Sequence, residues 1–209
     1  VTTYLFVLAS FIAGFVACRI RTTSRSNHGE ALVSRALRTH FSSSDYHLFN
    51  HVTIQLQDGT TEIDHILVSR FGIFVIETKA YKGWIFANAN HQEWTQVLFR
   101  NKFRFQNPIH QNMRHLRAIQ ALLDFLPSEV ISPCVVFVGS AEFKTDMPEG
   151  VFTLISLIEH LQDQTQELMS TNRMHFCVGR IEAMRMAISG KTDVEHIQSL
   201  VSRHGRSRN

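Results

Sequence analysis

Cysteine is scarce in this 209-residue chain: Cys18, Cys134 and Cys177 stand far apart, are odd in number and never form a Cys-x-x-Cys pair. That excludes a disulfide framework and a zinc ribbon, and a reducing compartment fits best. The histidines likewise show no zinc-site spacing. Internal repeats and low-complexity tracts are absent, which excludes a solenoid or a fibrous array. Strong charge imbalance is absent too. A net charge of +3 permits an anionic partner without requiring one. With 44% hydrophobic residues the chain can build a real core, and its length suits one domain plus an appendage.

What is present is concentrated between Glu62 and Lys79. Two apolar strands are joined there by a tight turn at Arg70 to Gly72, and each strand ends in charge. If Ser69 and Gly72 close a two-residue hairpin loop, Asp64 faces Glu77 and Glu62 faces Lys79. Opposed carboxylates destabilise a strand pair unless something cationic lies between them, and a divalent metal would serve. Alternation puts Ile66, Val68, Ile73 and Val75 on the face of that cluster, and Ile63, Leu67, Phe74 and Ile76 on the other. A structural ion pair, with Lys79 balancing Glu62 or Glu77, is the competing reading. His65 points away from the cluster and reads as a packed histidine.

Val1 to Cys18 carries no charged residue. As a helix rising about 1.5 Å per residue, it just spans a hydrocarbon core of roughly 30 Å. Arg19, Arg21 and Arg25 follow it, so the positive-inside rule puts the rest of the chain in the cytoplasm. A cleaved secretory signal is the alternative. A polar linker then leads to a helix over Gly29 to Phe41, where Glu30 suits either a capping box or a site residue. Strands are expected at Tyr46 to Gln55, Trp84 to Ala87, Glu93 to Phe99, Pro133 to Gly139 and Val151 to Ile155.

Asn107-Pro108 starts a helix expected to reach Leu126, with Gln111, Arg114, His115 and Arg117 on faces other than its core stripe and most of them solvated. Ser156 with Glu159 and Thr192 with Glu195 match capping boxes for helices at Leu157 to Met169 and Asp193 to Ser202, and a third fills Arg180 to Ser189. Arg100, Lys102 and Arg104 alternate with Phe99, Phe103 and Phe105. They are candidate nucleic-acid contacts, as is Arg114, or else solvated cations beside buried rings.

Taken in order, Gly29-Glu30, Glu62-Ile63-Asp64-His65, Phe71-Gly72-Ile73 running into Glu77-Thr78-Lys79, Gly83-Trp84, and Asn107-Pro108 with Gln111 resemble the PD-(D/E)xK nuclease superfamily, in particular the nuclease-related domain, NERD. The superfamily's label proline is replaced here by Ile63, a position that supplies no ligand. The resemblance implies an α/β fold with a restriction-endonuclease-like mixed β-sheet flanked by α-helices. Residues 1–20 would form the transmembrane helix, 21–28 the linker and 29–130 the nuclease core, with 131–209 completing the same domain. It further implies Asp64 and Glu77 as ligands of Mg2+ or Mn2+, and Lys79, Glu30 and Gln111 as catalytic residues. The function expected is a membrane-anchored nuclease acting on DNA or RNA. A non-catalytic, membrane-tethered module that binds nucleic acid or protein is the alternative.

Overall fold

A computed structural model describes residues 28–186. The expected membrane span, almost all of the linker, the helix at Asp193 to Ser202 and the basic tail lie outside them. Helix α1 covers 28–40. Strands β1 (Tyr46–Leu56), β2 (Gly59–Ser69), β3 (Gly72–Phe86), β4 (Glu93–Leu98) and β5 (Asn101–Gln106) follow as an antiparallel meander. Helix α2 (Pro108–Leu122), β6 (Ile131–Phe143), β7 (Val151–Thr153), α3 (Leu154–Gln162) and α4 (Thr171–Met184) complete the described chain. Strands β6 and β7 join in parallel, β6 directly beside β3, giving a mixed seven-stranded sheet.

Helices flank both faces. The face carrying Ile66, Val68, Ile73 and Val75 packs with Leu116, Ile119 and Leu123 of the α2 region and with Met174, Cys177 and Ile181 of α4. The opposite face carries Leu67, Phe74 and Ile76 with Val33 and Leu37 of α1 and Leu157 and Leu161 of α3. Strands β2 and β3 are therefore buried on both sides, and each fully buried Ile, Val or Leu contributes about 2 kcal/mol relative to exposure.

Sheet connectivity makes one opening. Along one edge of β3, β2 pairs with it from Ser69–Gly72 to His65–Ile76, and β4 pairs only from Trp84 onward. Among the described residues, 77 to 83 have no strand on that edge, while β6 runs unbroken along the other. The hairpin register is the one expected from a two-residue loop, but pairing stops one step before Asp64 meets Glu77. Glu62 does not face Lys79; it lies opposite Thr53 on β1.

Alternation also fails locally. His51 has φ of 51°, and neither it nor Asp64 enters the otherwise continuous β1–β2 ladder. Beyond that break Val52, Ile54 and Ile63 join the same cluster as Phe49, Ile66 and Val68, so Ile63 lies on the α2 face and not with Leu67 as alternation predicted.

Several boundaries differ from expectation for identifiable reasons. Trp84 does not begin a new strand, because Gly83 at φ 78° carries β3 straight through; a Cβ there would sit 2.4 Å from the Val97 carbonyl oxygen. Helix α2 stops at Leu122, short of Leu126, as the chain approaches Pro127. The capping box of α3 is Thr153 with Ser156, three residues earlier than predicted, so Ser156 is the N3 partner and not the cap. Helix α4 starts from a Ser170 cap and ends at Met184, well before Ser189.

Candidate catalytic site

The opening beside β3 is where the charged residues meet. Lacking a strand partner, the Thr78 N–H donates instead to Asp64 Oδ2 at 2.7 Å. That bond ties the diverging β2 back to β3 and holds the Asp64 carboxylate beside Glu77. Glu77 and Lys79, two residues apart and so on one face, point toward α2. Lys79 Nζ donates to Glu77 Oε1 at 2.5 Å and to Gln111 Oε1 at 3.0 Å. Gln111 sits in the first turn of α2, whose start is fixed by Asn107. The Asn107 Oδ1 accepts from the Ile109 N–H at 2.9 Å, and its Nδ2 donates to the carbonyls of Ala89 and His91.

Glu30 approaches from α1. Gly29 lets that helix lie close, since a Cβ there would be 2.7 Å from Ala80 Cβ and 3.0 Å from Val138 Cγ2. The Glu30 carboxylate is buried and lies 3.5 Å from His51 Nδ1. Asn27, three residues before Glu30 and the position its capping-box partner would take, is outside the described residues, whereas the Glu30 side chain is near enough to Asp64 to act on its charge.

Two residues of the site escaped the sequence reading. His115, expected off the core stripe, is buried: its Nε2 is 3.1 Å from Glu77 Oε2 and its Nδ1 2.7 Å from Thr61 Oγ1. With a proton on Nε2 the ring donates to Glu77, while Nδ1 meets the Thr61 hydroxyl, which can either donate or accept. Its position four residues after Gln111, one helical turn along the same face, was the available signal. Asn112, fully buried, donates through Nδ2 to the carbonyls of Val75 and Cys134, each at 2.9 Å, and so pins α2 to the two central strands.

Electrostatics separates the two carboxylates. Burial pushes Asp64 upward, the charges of Glu77 and Glu30 add to this, and the Thr78 amide and Lys79 offset only part, leaving its carboxyl well above the usual range. Burial acts the same way on Glu77. There the Lys79 charge and the His115 hydrogen bond more than reverse it, and the pKa is lowered. Burial alone would depress Lys79, but Glu77 outweighs it and the ammonium is held charged. Lys79 is thus shared by Glu77 and Asp64, while Glu30 adds its negative charge to Asp64, which is left short of positive charge.

Among the described residues no three His, Cys, Asp or Glu side chains stand at metal-ligand spacing. What the opening offers is a pair of carboxylates. That donor set fits a hard cation such as magnesium, which binds through one or two carboxylates plus water and substrate phosphate and needs no all-protein cage.

The basic residues divide. Lys102 and Arg104 lie on β5 and Arg100 in the β4–β5 turn. Arg114 instead donates to both carboxylate oxygens of Asp58, at 3.2 and 3.1 Å, near the β1–β2 turn, and is not part of that basic hairpin.

Residues 25–138 match the family described as the nuclease-related domain, NERD. That span contains Glu30, Asp64, Glu77, Lys79, Gln111 and His115. The chain is also 44% identical over 97 residues to an uncharacterized protein of Bacillus anthracis. The match takes in 46% of this chain and 45% of that relative, so the chain spans about half the relative's length.

Proposed function

Because this chain belongs to the nuclease-related domain family, and so carries a nuclease-like domain, we propose that it is a membrane-anchored nuclease, dependent on Mg2+ or Mn2+, that hydrolyses phosphodiester bonds of DNA, with RNA as the second substrate class. The observation that carries the proposal is the convergence of Asp64, Glu77, Lys79 and Gln111 on the stretch of β3 that, among the described residues, has a strand on one edge only.

Asp64 and Glu77 would hold the cation, which supplies Lewis-acid stabilisation of the charge developing on the phosphate oxygens. Lys79, held charged beside Glu77, offers positive charge and hydrogen-bond donation where negative charge develops on the departing oxygen. Gln111 fixes the ammonium from the α2 side and can position water or phosphate through its amide. His115 donates to the second oxygen of Glu77 and keeps that carboxylate ionised and aimed. Glu30 adds negative charge beside Asp64 and so strengthens the site's demand for a cation.

Anchoring is supported by the uncharged segment Val1 to Cys18 and the arginines after it. No helix among the described residues is long and apolar enough to cross a membrane. The domain would then face the cytoplasm.

The test is direct. The full chain with Mg2+ or Mn2+ should cut at least one of labelled single-stranded DNA, duplex DNA or RNA, and chelation should stop it. Asp64→Ala and Lys79→Ala should each slow cleavage by about 100-fold or more. Absence of any metal-dependent, Asp64-dependent cleavage would leave the non-catalytic binding module as the reading.

A further inference from the structure

On the far end of the sheet, beyond the catalytic opening, no described element covers the face opposite α2. Cross-strand pairing lines up Trp84, Val97 and Lys102 in one row and Phe86, Thr95 and Arg104 in the next. These six residues line a groove of about 520 Å³. Trp84 and Phe86 are 49% and 40% exposed, although large aromatic side chains are ordinarily buried. The interleaved phenylalanines of β5 are turned away from this groove: Phe105 packs against Tyr81 and Trp94 with ring centroids 4.6 and 6.1 Å apart. The aromatic partners of the basic hairpin are therefore supplied by β3, which sequence adjacency did not reveal.

Charge on this face is mostly positive. Exposed Lys82, Lys102, Arg104 and Lys144 surround the rings, against Glu142 and Glu93. Lys144 sits over the Trp84 ring at 4.9 Å and contacts Glu142, and Arg104 is 3.6 Å from Glu93. Trp84 and Phe86 are two residues apart, so their rings stand about 7 Å apart along the strand.

We propose that this face is a stacking platform for single-stranded nucleic acid, with unpaired bases on Trp84 and Phe86 and the backbone phosphates on Lys102 and Arg104. A duplex keeps its base faces covered by stacking and has no use for two exposed rings on a flat sheet, whereas an unpaired strand has a free π-face on every base. Rows of cations flanking the rings complement the phosphates on either side. The platform lies five residues along β3 from Lys79, about 17 Å. It stands on the face opposite the one from which Glu77 and Lys79 point toward α2, so a strand held there would reach the site by crossing the open edge of β3. The proposal rests on the nuclease reading only for the consequence that unpaired segments are the preferred substrate; the binding itself does not.

The experiment measures binding of the full chain, in chelator, to a labelled oligothymidylate of about 16 nucleotides and to a duplex of the same length. Trp84→Ala and Phe86→Ala should each weaken oligothymidylate binding by about tenfold and duplex binding by less than about twofold, and Trp84→Phe should retain most of the affinity. Because both side chains are exposed, their removal should leave the circular dichroism and melting temperature unchanged. Replacing Lys102 and Arg104 by Ser should lower the salt slope by about two. Wild-type oligothymidylate binding by the Trp84/Phe86 double variant would overturn the proposal, as would equal losses on both probes. Unchanged oligonucleotide binding together with lost self-association would reassign the face to a protein contact. Strand binding that persists without any cleavage keeps the platform and sinks the nuclease; Asp64-dependent cleavage indifferent to Trp84 and Phe86 does the reverse.

Discussion

Glu77 is the residue on which most of the site's bonds converge, and Asp64 is the one left unbalanced. Lys79 and His115 each give a hydrogen bond to Glu77, while Asp64 receives one backbone N–H and faces two other acids. Asp64→Asn keeps an acceptor for the Thr78 amide and removes the like-charge repulsion. The metal-free protein should therefore become more stable by about 1 kcal/mol in urea denaturation while losing cleavage, a trade of stability for function. His65 has a different consequence. Its Nδ1 lies 2.7 Å from Asn50 Oδ1, its Nε2 is buried without a partner among the described residues, and burial followed by the nearby His51 lowers its pKa to about 4. The unfolded chain, near 6.5, takes up that proton first. Stability is then fully present above about pH 6.5 and is lost as the pH falls toward about 4, by on the order of 3 kcal/mol. Urea denaturation across that window should show the loss, and His65→Gln should flatten it. At this scale Asp64, Glu77 and Lys79 were legible because misplaced charge at the end of an apolar strand is visible in one dimension. His115 was not, because its burial depends on how α2 docks.

At the level of elements, the site depends on how firmly α2 lies across β3 and β6. Asn107 fixes where the helix begins and Asn112 fixes where it rests. Asn112→Ala removes both hydrogen bonds to Val75 and Cys134 and leaves a small void. It should destabilise the fold by about 2 kcal/mol in denaturant titration and weaken cleavage as well, since Gln111 and His115 ride on the same turns. The Asn-Pro start of α2 was readable because capping and the φ of proline are local chemistry. Other ends were less so. Ser156-x-x-Glu159 fits a capping box on paper, yet Thr153 takes the role because β7 delivers the chain to α3 three residues sooner. The two-residue hairpin loop fixed the β2–β3 register correctly over five pairs. It could not show where the pairing ends, which depends on β4 returning to the same edge and on the break at His51.

The whole molecule joins a sheet that opens at one point to an apolar segment outside the described residues. If Val1 to Cys18 spans a bilayer, the full chain should stay in the membrane fraction after washing with high salt and then alkali; release by either would remove the anchor from the proposal. Strand β6 shows why distant sequence matters to the site. It comes from beyond α2, pairs with β3 over thirteen residues on the side away from the opening, and so holds Glu77 and Lys79 rigid while the other edge stays free.

By itself the sequence determined the elements that carry chemistry and the resemblance that names the family, because alternation, capping and turn closure act between near neighbours. It also put Glu77 and Lys79 on one face, since strand parity is a local property. Only the tertiary structure decided that Asp64 meets them through the Thr78 amide, that His115 is buried against Glu77, and that the basic hairpin shares its face with Trp84 and Phe86. Each of those facts is a contact between residues far apart in the chain, set by where strands diverge and how helices dock; local pattern gives at most a hint, as the Gln111–His115 spacing does.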